Sequence, residues 1–165
     1  YVKFGAFKHH ASHFLGRIVF PIKDASGRIV SFQGRDDAGT LRDKYMFWPS
    51  GVKLPVFPQV KPIQGKVILV EGIFDMLNLH DKGLDNAVCC FGAKNFTKEK
   101  LSHLKIGGAQ GLDILFDADN AGQEAADHIK RLAEDFPVRT IKLKSGDPAE
   151  FNEAQVQGVR RKLYG

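Results

Sequence analysis

Between Lys66 and Leu143 the chain holds short strand-like runs, the first of them apolar at every position, with helix-patterned sequence between them. The runs are Val67-Ile68-Leu69-Val70, Ala87 to Phe91, Leu112 to Phe116 and Val138 to Leu143. A strand that is apolar throughout, rather than at alternate positions, suits a place covered on both faces. Helical sequence is predicted from Ile73 to about Lys82, where Gly83 stops it, and from about Thr97 to Leu104. A stronger helix is predicted from Ala121 to about Asp135, with Ala125, Ile129, Leu132 and Phe136 on one face. Pro148, just after Asp147, can open a further short helix. Strands separated by helices predict an α/β fold, a mostly parallel sheet flanked by helices.

The sequence before Lys66 has a different rhythm. Arg17-Ile18-Val19-Phe20-Pro21-Ile22 is rich in β formers, Asp24-Ala25-Ser26-Gly27 is a turn, and Arg28-Ile29-Val30-Ser31-Phe32 partly alternates. A hairpin follows from that pattern. Tyr45-Met46-Phe47-Trp48 is a candidate third strand. Residues 49–65 contain Pro49, Pro55, Pro58 and Pro62 with Gly51 and Gly65, and so form a connector. The expected division is a β-rich subdomain over 1–65, an α/β domain over 66–150 and a helical tail over 151–165. Arg160-Arg161-Lys162 in that tail has the look of a solvated helix end.

Charge follows the same division. Residues 1–65 carry ten Lys and Arg against four Asp, whereas residues 66–165 carry fourteen against fifteen acids. A basic first third beside a slightly acidic remainder suits a protein that grips a polyanion and holds a cation, although a solvated surface explains charge alone. No stretch approaches the roughly 20 apolar residues of a membrane helix, so no membrane partner is expected. Cys89 and Cys90 are neighbours inside an apolar run with no C-x-x-C spacing, and are expected as buried thiols in a reducing compartment. His9, His10 and His13 lack a further ligand at zinc spacing.

Acids stand where the predicted strands end. Glu71 follows Val70, Asp117 follows Phe116 with Asp119 two residues on, and Asp147 lies beyond Leu143. In open parallel sheets the working crevice lies at the carboxyl ends of the strands. Clustered carboxylates repel unless a cation is present, and oxygen-rich clusters suit Mg²⁺ or Mn²⁺. Singly, each acid reads as a helix N-cap and each following glycine as a turn residue; the joint arrangement is the argument. Lys94, after the run ending at Phe91, faces the same crevice, as a phosphate ligand or as a plain loop lysine. Phe47 and Trp48 fit either base stacking or the core.

The arrangement resembles a known family. Val70-Glu71-Gly72-Ile73-Phe74-Asp75 is similar to the E-G-x-x-D signature of Toprim domains. Asp117-Ala118-Asp119-Asn120-Ala121-Gly122 with Ala125-Ala126 resembles the D-x-D-x-A-G-x-x-A-A signature of bacterial, DnaG-type primases. Gly146-Asp147-Pro148-Ala149-Glu150-Phe151 is similar to the family's D-P-D-E stretch, with Ala149 in place of the second acid. Gly16 to Asp24, Gly27 to Arg35 and Asp43-Lys44-Tyr45 resemble the basic subdomain that precedes Toprim in primases. The resemblance covers roughly residues 14 to 155. Met46 to Pro58 departs from the cellular members, which points to a phage or mobile-element branch.

The resemblance implies a Toprim catalytic domain over 66–150. There Glu71, Asp117, Asp119 and Asp147 hold catalytic Mg²⁺ or Mn²⁺ and Asp75 supports them. It implies that Arg17, Arg35 and Lys44 contact phosphates of template or nucleotide. The expected activity is that of a primase, a DNA-directed RNA polymerase making short RNA primers on single-stranded DNA from nucleoside triphosphates during replication. The expected setting is the cytoplasm, with a replicative helicase reached through domains outside this chain. Rival readings are a Toprim nuclease, which uses the same carboxylates, and a nucleic-acid-binding module without activity. A topoisomerase fits less well, needing a nucleophilic tyrosine from another domain.

Overall fold

The computed structural model describes residues 2–8, 13–36, 38–59, 62–143 and 146–164. The chain forms two compact units, Tyr1–Gln59 and Val60–Gly165.

The first unit is an antiparallel sheet of four strands in the order β1-β2-β3-β4: β1 Phe7–Lys8, β2 Arg17–Lys23, β3 Ile29–Asp36 and β4 Tyr45–Trp48. The predicted hairpin is β2 and β3, paired from Arg17↔Asp36 to Lys23↔Ile29. Its turn is made by Asp24, whose carboxylate accepts the N–H groups of Ser26 (2.8 Å) and Arg28 (3.1 Å) and is gripped by the Arg28 guanidinium. Gly27 supplies the positive φ of 85°. Pro21 is tolerated inside β2 because β1 pairs with it only at Ile18 and Val19, leaving an open edge at the proline. Val19, Phe20 and Ile22 are wholly buried.

The second unit carries a parallel sheet in the order β6-β5-β7-β8. Its elements are β5 Lys66–Val70, α1 Ile73–Asp81, β6 Ala87–Cys89, α2 Lys98–Ile106, β7 Gly111–Ile114, α3 Asn120–Ala133, β8 Val138–Thr140 and α4 Glu153–Tyr164. As its unbroken apolar run predicts, β5 is an inner strand, with Val67 to Val70 at most 2% exposed. β6, β7 and β8 stop short of the apolar runs that contain them. β5 ends at Val70, and beyond Cys89 and Ile114 single bonds remain, from Cys90 N–H to Val70 O and from Leu115 N–H to Leu69 O. Right-handed crossovers place α1 on one face and α2 and α3 on the other. Thr97 caps α2 through its hydroxyl, and Gly83 ends α1 with a φ of 79°. Cys89 and Cys90 are buried thiols, and burial pushes Cys90 up to about 12. No described helix is long and apolar enough to cross a membrane.

α4 is stapled to this unit. Val156 and Val159 are buried, and Arg139 on β8 donates to the carbonyls of Lys162 (2.9 Å) and Leu163 (3.2 Å). Arg160 is not solvated as its sequence suggests: it donates to Gly83 O at 2.9 Å and closes the end of α1. Arg139 also binds the buried carboxylate of Asp113 in β7 at 2.6 Å. Arg139→Ala would strand that carboxylate without its cation. The expected loss is at the lower end of about 3–5 kcal/mol, because the guanidinium is partly solvated. Urea unfolding at pH 7 measures it, and adding Asp113→Asn should restore part of the loss.

Candidate active site

The strand order defines where the site lies. From β5 the chain steps to β6 on one side, then passes back over β5 to β7 on the other. Loops leaving β5 and β7 therefore diverge, and the crevice between them is the topological switch point. Glu71 leaves β5 there, and Asp117 and Asp119 follow β7.

Four of the five acids accept backbone N–H groups. The Glu71 carboxylate accepts the N–H groups of Asp117 and Ala93. Asp75, on the first turn of α1 and 8% exposed, accepts Gly72 N–H at 2.7 Å. Asp119 caps α3 by accepting Gly122 N–H at 2.7 Å, and Asp147 caps the 3₁₀ turn Pro148–Glu150 by accepting Ala149 N–H at 2.8 Å. Gly122 is dictated by space, since a Cβ there would lie 2.6 Å from the Asp117 carbonyl oxygen. That contact seats α3 against the loop that carries Asp117 and Asp119.

The acids sense one another. Burial raises the Glu71 carboxyl above its ordinary range, and the charges of Asp117 and Asp119 raise it further. Asp75 is pushed up to about 7, first by burial and then by the charges of Asp147 and Asp117, with a side-chain hydrogen bond to Asp147 favouring its protonated form. The five predicted acids are thus brought together. Among the described residues, no three His, Cys, Asp or Glu side chains stand ready-made as a metal cage. The set still fits Mg²⁺ or Mn²⁺. Glu71 and Asp75 bind their protons more tightly than usual because they are buried and other acids lie near them, and Mg²⁺ commonly takes one or two carboxylates, completing its shell with water and substrate phosphates.

The predicted cations are less uniform. Lys94 is exposed on the 3₁₀ turn Ala93–Asn95, beside an open groove of about 480 Å³ that also meets Glu124, Asp127, His128 and Arg131 on α3. In the first unit the Arg35 guanidinium lies 4.7 Å from the Tyr45 ring centre and donates to its hydroxyl, and the Lys44 ammonium lies 5.8 Å from the same ring. Arg17 is 5% exposed and donates to Lys44 O at 3.4 Å, so it orients Lys44 from inside. Trp48 is 51% exposed, which removes the core reading for that ring. His9 and His10 lie outside the described residues, and His13 faces Trp48 at 6.3 Å.

Sequence reasoning passed over Lys100, whose buried ammonium donates to Cys90 O at 3.1 Å under the loop after β6. Its signal was its place four residues before Leu104 on the apolar face of α2. It also passed over Tyr45 as a site residue.

The Toprim-like family matches residues 68–154, and the chain belongs to it. The family described as DNA primase catalytic core, N-terminal domain, matches residues 3–51. With both matches in this order, the chain falls among the DnaG-type DNA primases. The DNA primase of Deinococcus radiodurans is 34% identical over 92% of this chain and 28% of its own length, so the chain spans well under half of that relative. The solved Aquifex aeolicus primase, with zinc-binding and RNA polymerase domains, superposes on 99% of the chain and 44% of its own at 28% identity and a TM-score of 0.75. A solved DnaG primase catalytic domain bound to ssDNA shares the fold over 96% of the chain and 55% of its own, with a TM-score of 0.77 at 22% identity.

The raised Asp75 carboxyl has a consequence for stability. Its folded value of about 7 lies above the ordinary value of about 4 for an unfolded aspartate. Between those values the folded protein keeps a proton that the unfolded chain has lost. Without divalent cation, this stabilisation is full below about pH 4 and is lost as pH rises through 7. Asp75→Asn should flatten the slope, leaving a residue from Glu71, and stabilise the protein at pH 8. Urea unfolding in EDTA at pH 5 and pH 8 tests this, and an unchanged slope would rule out Asp75 as its source.

Proposed function

We propose that this chain is the catalytic core of an enzyme that joins nucleoside triphosphates into short RNA primers on single-stranded DNA. The carrying observation is the gathering of Glu71, Asp75, Asp117, Asp119 and Asp147 at the switch point of a Toprim-like sheet. Glu71, Asp117, Asp119 and Asp147 would hold Mg²⁺ or Mn²⁺, with Asp75 behind them. The cation, when bound, supplies positive charge to phosphate oxygens of the incoming triphosphate.

The chain's own residues do the rest. Backbone N–H groups fix the carboxylates of Glu71, Asp75, Asp119 and Asp147 before substrate arrives, so little reorganisation is left for the reaction itself. Lys94, exposed on the turn after β6, would meet a phosphate. Arg35 and Lys44, flanking Tyr45, would hold template or nucleotide phosphates, and Arg17 would keep Lys44 in place. Single-stranded DNA held by a DnaG catalytic domain of the same fold supports that choice of polyanion.

The deciding experiment incubates the full protein with single-stranded DNA, labelled nucleotides and Mg²⁺ or Mn²⁺. New short oligonucleotides support synthesis, whereas shortened DNA would replace this reading with the nuclease. Asp119→Asn should cut primer synthesis by more than about 100-fold. The fold should survive, because asparagine caps a helix as well as aspartate does; full activity would overturn the metal assignment. Arg35→Ala and Lys44→Ala should weaken binding to single-stranded DNA whatever its sequence, and each should reduce the salt slope by roughly 0.7 if it removes a backbone contact. Arg17→Ala should show the same weakening together with a lower melting temperature. Unchanged binding in the triple variant would leave these residues as scaffold.

A further inference from the structure

Asp147 reaches the acid cluster on a segment outside the sheet. β8 ends at Thr140, and the next described element is the 3₁₀ turn Pro148–Glu150. That turn is fastened by α1. Asn78, one helical turn after Asp75, donates through Nδ2 to Pro148 O at 2.8 Å and to Phe151 O at 2.9 Å. The two carbonyls bracket the turn. Inside it, Asp147 O accepts Glu150 N–H at 2.9 Å, and the Asp147 carboxylate accepts Ala149 N–H. The Phe151 side chain is buried, and the Lys82 ammonium donates to Asn78 Oδ1, which fixes the orientation of the amide.

The chemistry selects asparagine. Two carbonyl acceptors must be met by one short, uncharged side chain with two N–H bonds on one nitrogen. Aspartate would present oxygen to both carbonyls, and alanine would leave them unmet. The same face of α1 thus makes two successive contacts with one segment, Asp75 with the Asp147 side chain and Asn78 with the backbone on either side of the turn. No described strand pairing holds the segment that carries Asp147, so without another tie it could move away from α1. The Asn78 clamp opposes this movement.

We propose that Asn78 is a positioning residue for the cation site, holding the turn that carries Asp147 against α1 so that the Asp147 carboxylate stays with the acid cluster. This rests on the reading of the acid cluster as a cation site, deepens it, and assigns a role that the E-G-x-x-D pattern, which ends at Asp75, does not contain.

The test is a double-mutant cycle on the full chain, read by Mn²⁺ binding in electron paramagnetic resonance titrations without nucleotide. Asn78→Ala and Asn78→Asp should each weaken Mn²⁺ binding by about tenfold or more. In an Asp147→Ala background, Asn78→Ala should change Mn²⁺ affinity no further, an outcome a general packing role would not give. Hydrogen exchange at the amides of Ala149, Glu150 and Phe151 should quicken in Asn78→Ala while that of β5 stays unchanged. If Asn78→Ala fails to fold, Asn78→Ser, which keeps one donor, enters the same cycle with a smaller expected loss. Parental Mn²⁺ affinity in the Asn78 variants, with Asp147→Ala weakened, would overturn the proposal and leave the cation site standing. So would a full additive loss in the double variant. An unaltered chain that binds no Mn²⁺, or an Asp147→Ala variant that binds it undiminished, would instead remove the cation-site reading and the proposal with it.

Discussion

Like charges packed at the edge of a low-dielectric interior repel strongly, and the parallel unit is arranged to contain that repulsion. Four of its five acids are restrained separately, by groups from separate stretches of backbone. Asp117 and Ala93 give N–H groups to Glu71, Gly72 to Asp75, Gly122 to Asp119 and Ala149 to Asp147. Three of the donors belong to the opening turns of helical segments, where unsatisfied N–H groups favour negative charge. The buried Lys100 ammonium secures the loop after β6 from which Ala93 reaches Glu71. Repulsion that survives these restraints appears in the raised carboxyl of Asp75, which is hydrogen-bonded to Asp147.

Much of this was legible in the sequence, for reasons that differ by element. The buried strand β5 is encoded by composition alone, because a strand covered on both faces needs apolar side chains throughout. The hairpin turn is encoded by Asp24 and Gly27, whose bonds lie within a few residues. Asp119 and Asp147 could be read as caps or as ligands of a cluster. The structure shows both caps formed, with the charge of Asp119 acting on Glu71 and that of Asp147 on Asp75. What the sequence hides is contact between distant segments. Arg160 reaches Gly83, and Asn78 reaches Pro148 and Phe151, across stretches with no common periodicity. Strand ends were hidden for a related reason, since a strand stops where its partner stops.

Charge counting in the first third shows the same limit. Ten cations against four acids say nothing of which cations are already occupied. Arg28 is held by Asp24, and Arg17 is buried beside Asp36 with its guanidinium on a backbone carbonyl. Arg35 and Lys44 flank one exposed tyrosine on an edge strand, so an excess spread along the sequence narrows to a local feature of charge and aromatic surface. Such a combination suits phosphate and base together.

The strand order carries one more implication, for how the unit comes into being. β7 pairs with β5 and not with its chain neighbour β6, so the sheet cannot grow by adding each new strand to the last. Pairings that skip over an intervening segment are slow to form. A chain folded as far as α2 would own Glu71 and Asp75 without Asp117, Asp119 or Asp147. Joining β7 to β5 therefore brings Asp117 and Asp119 to Glu71 late, Asp147 follows on the turn fastened to α1, and a divalent cation held by the whole cluster would stabilise the finished unit alone.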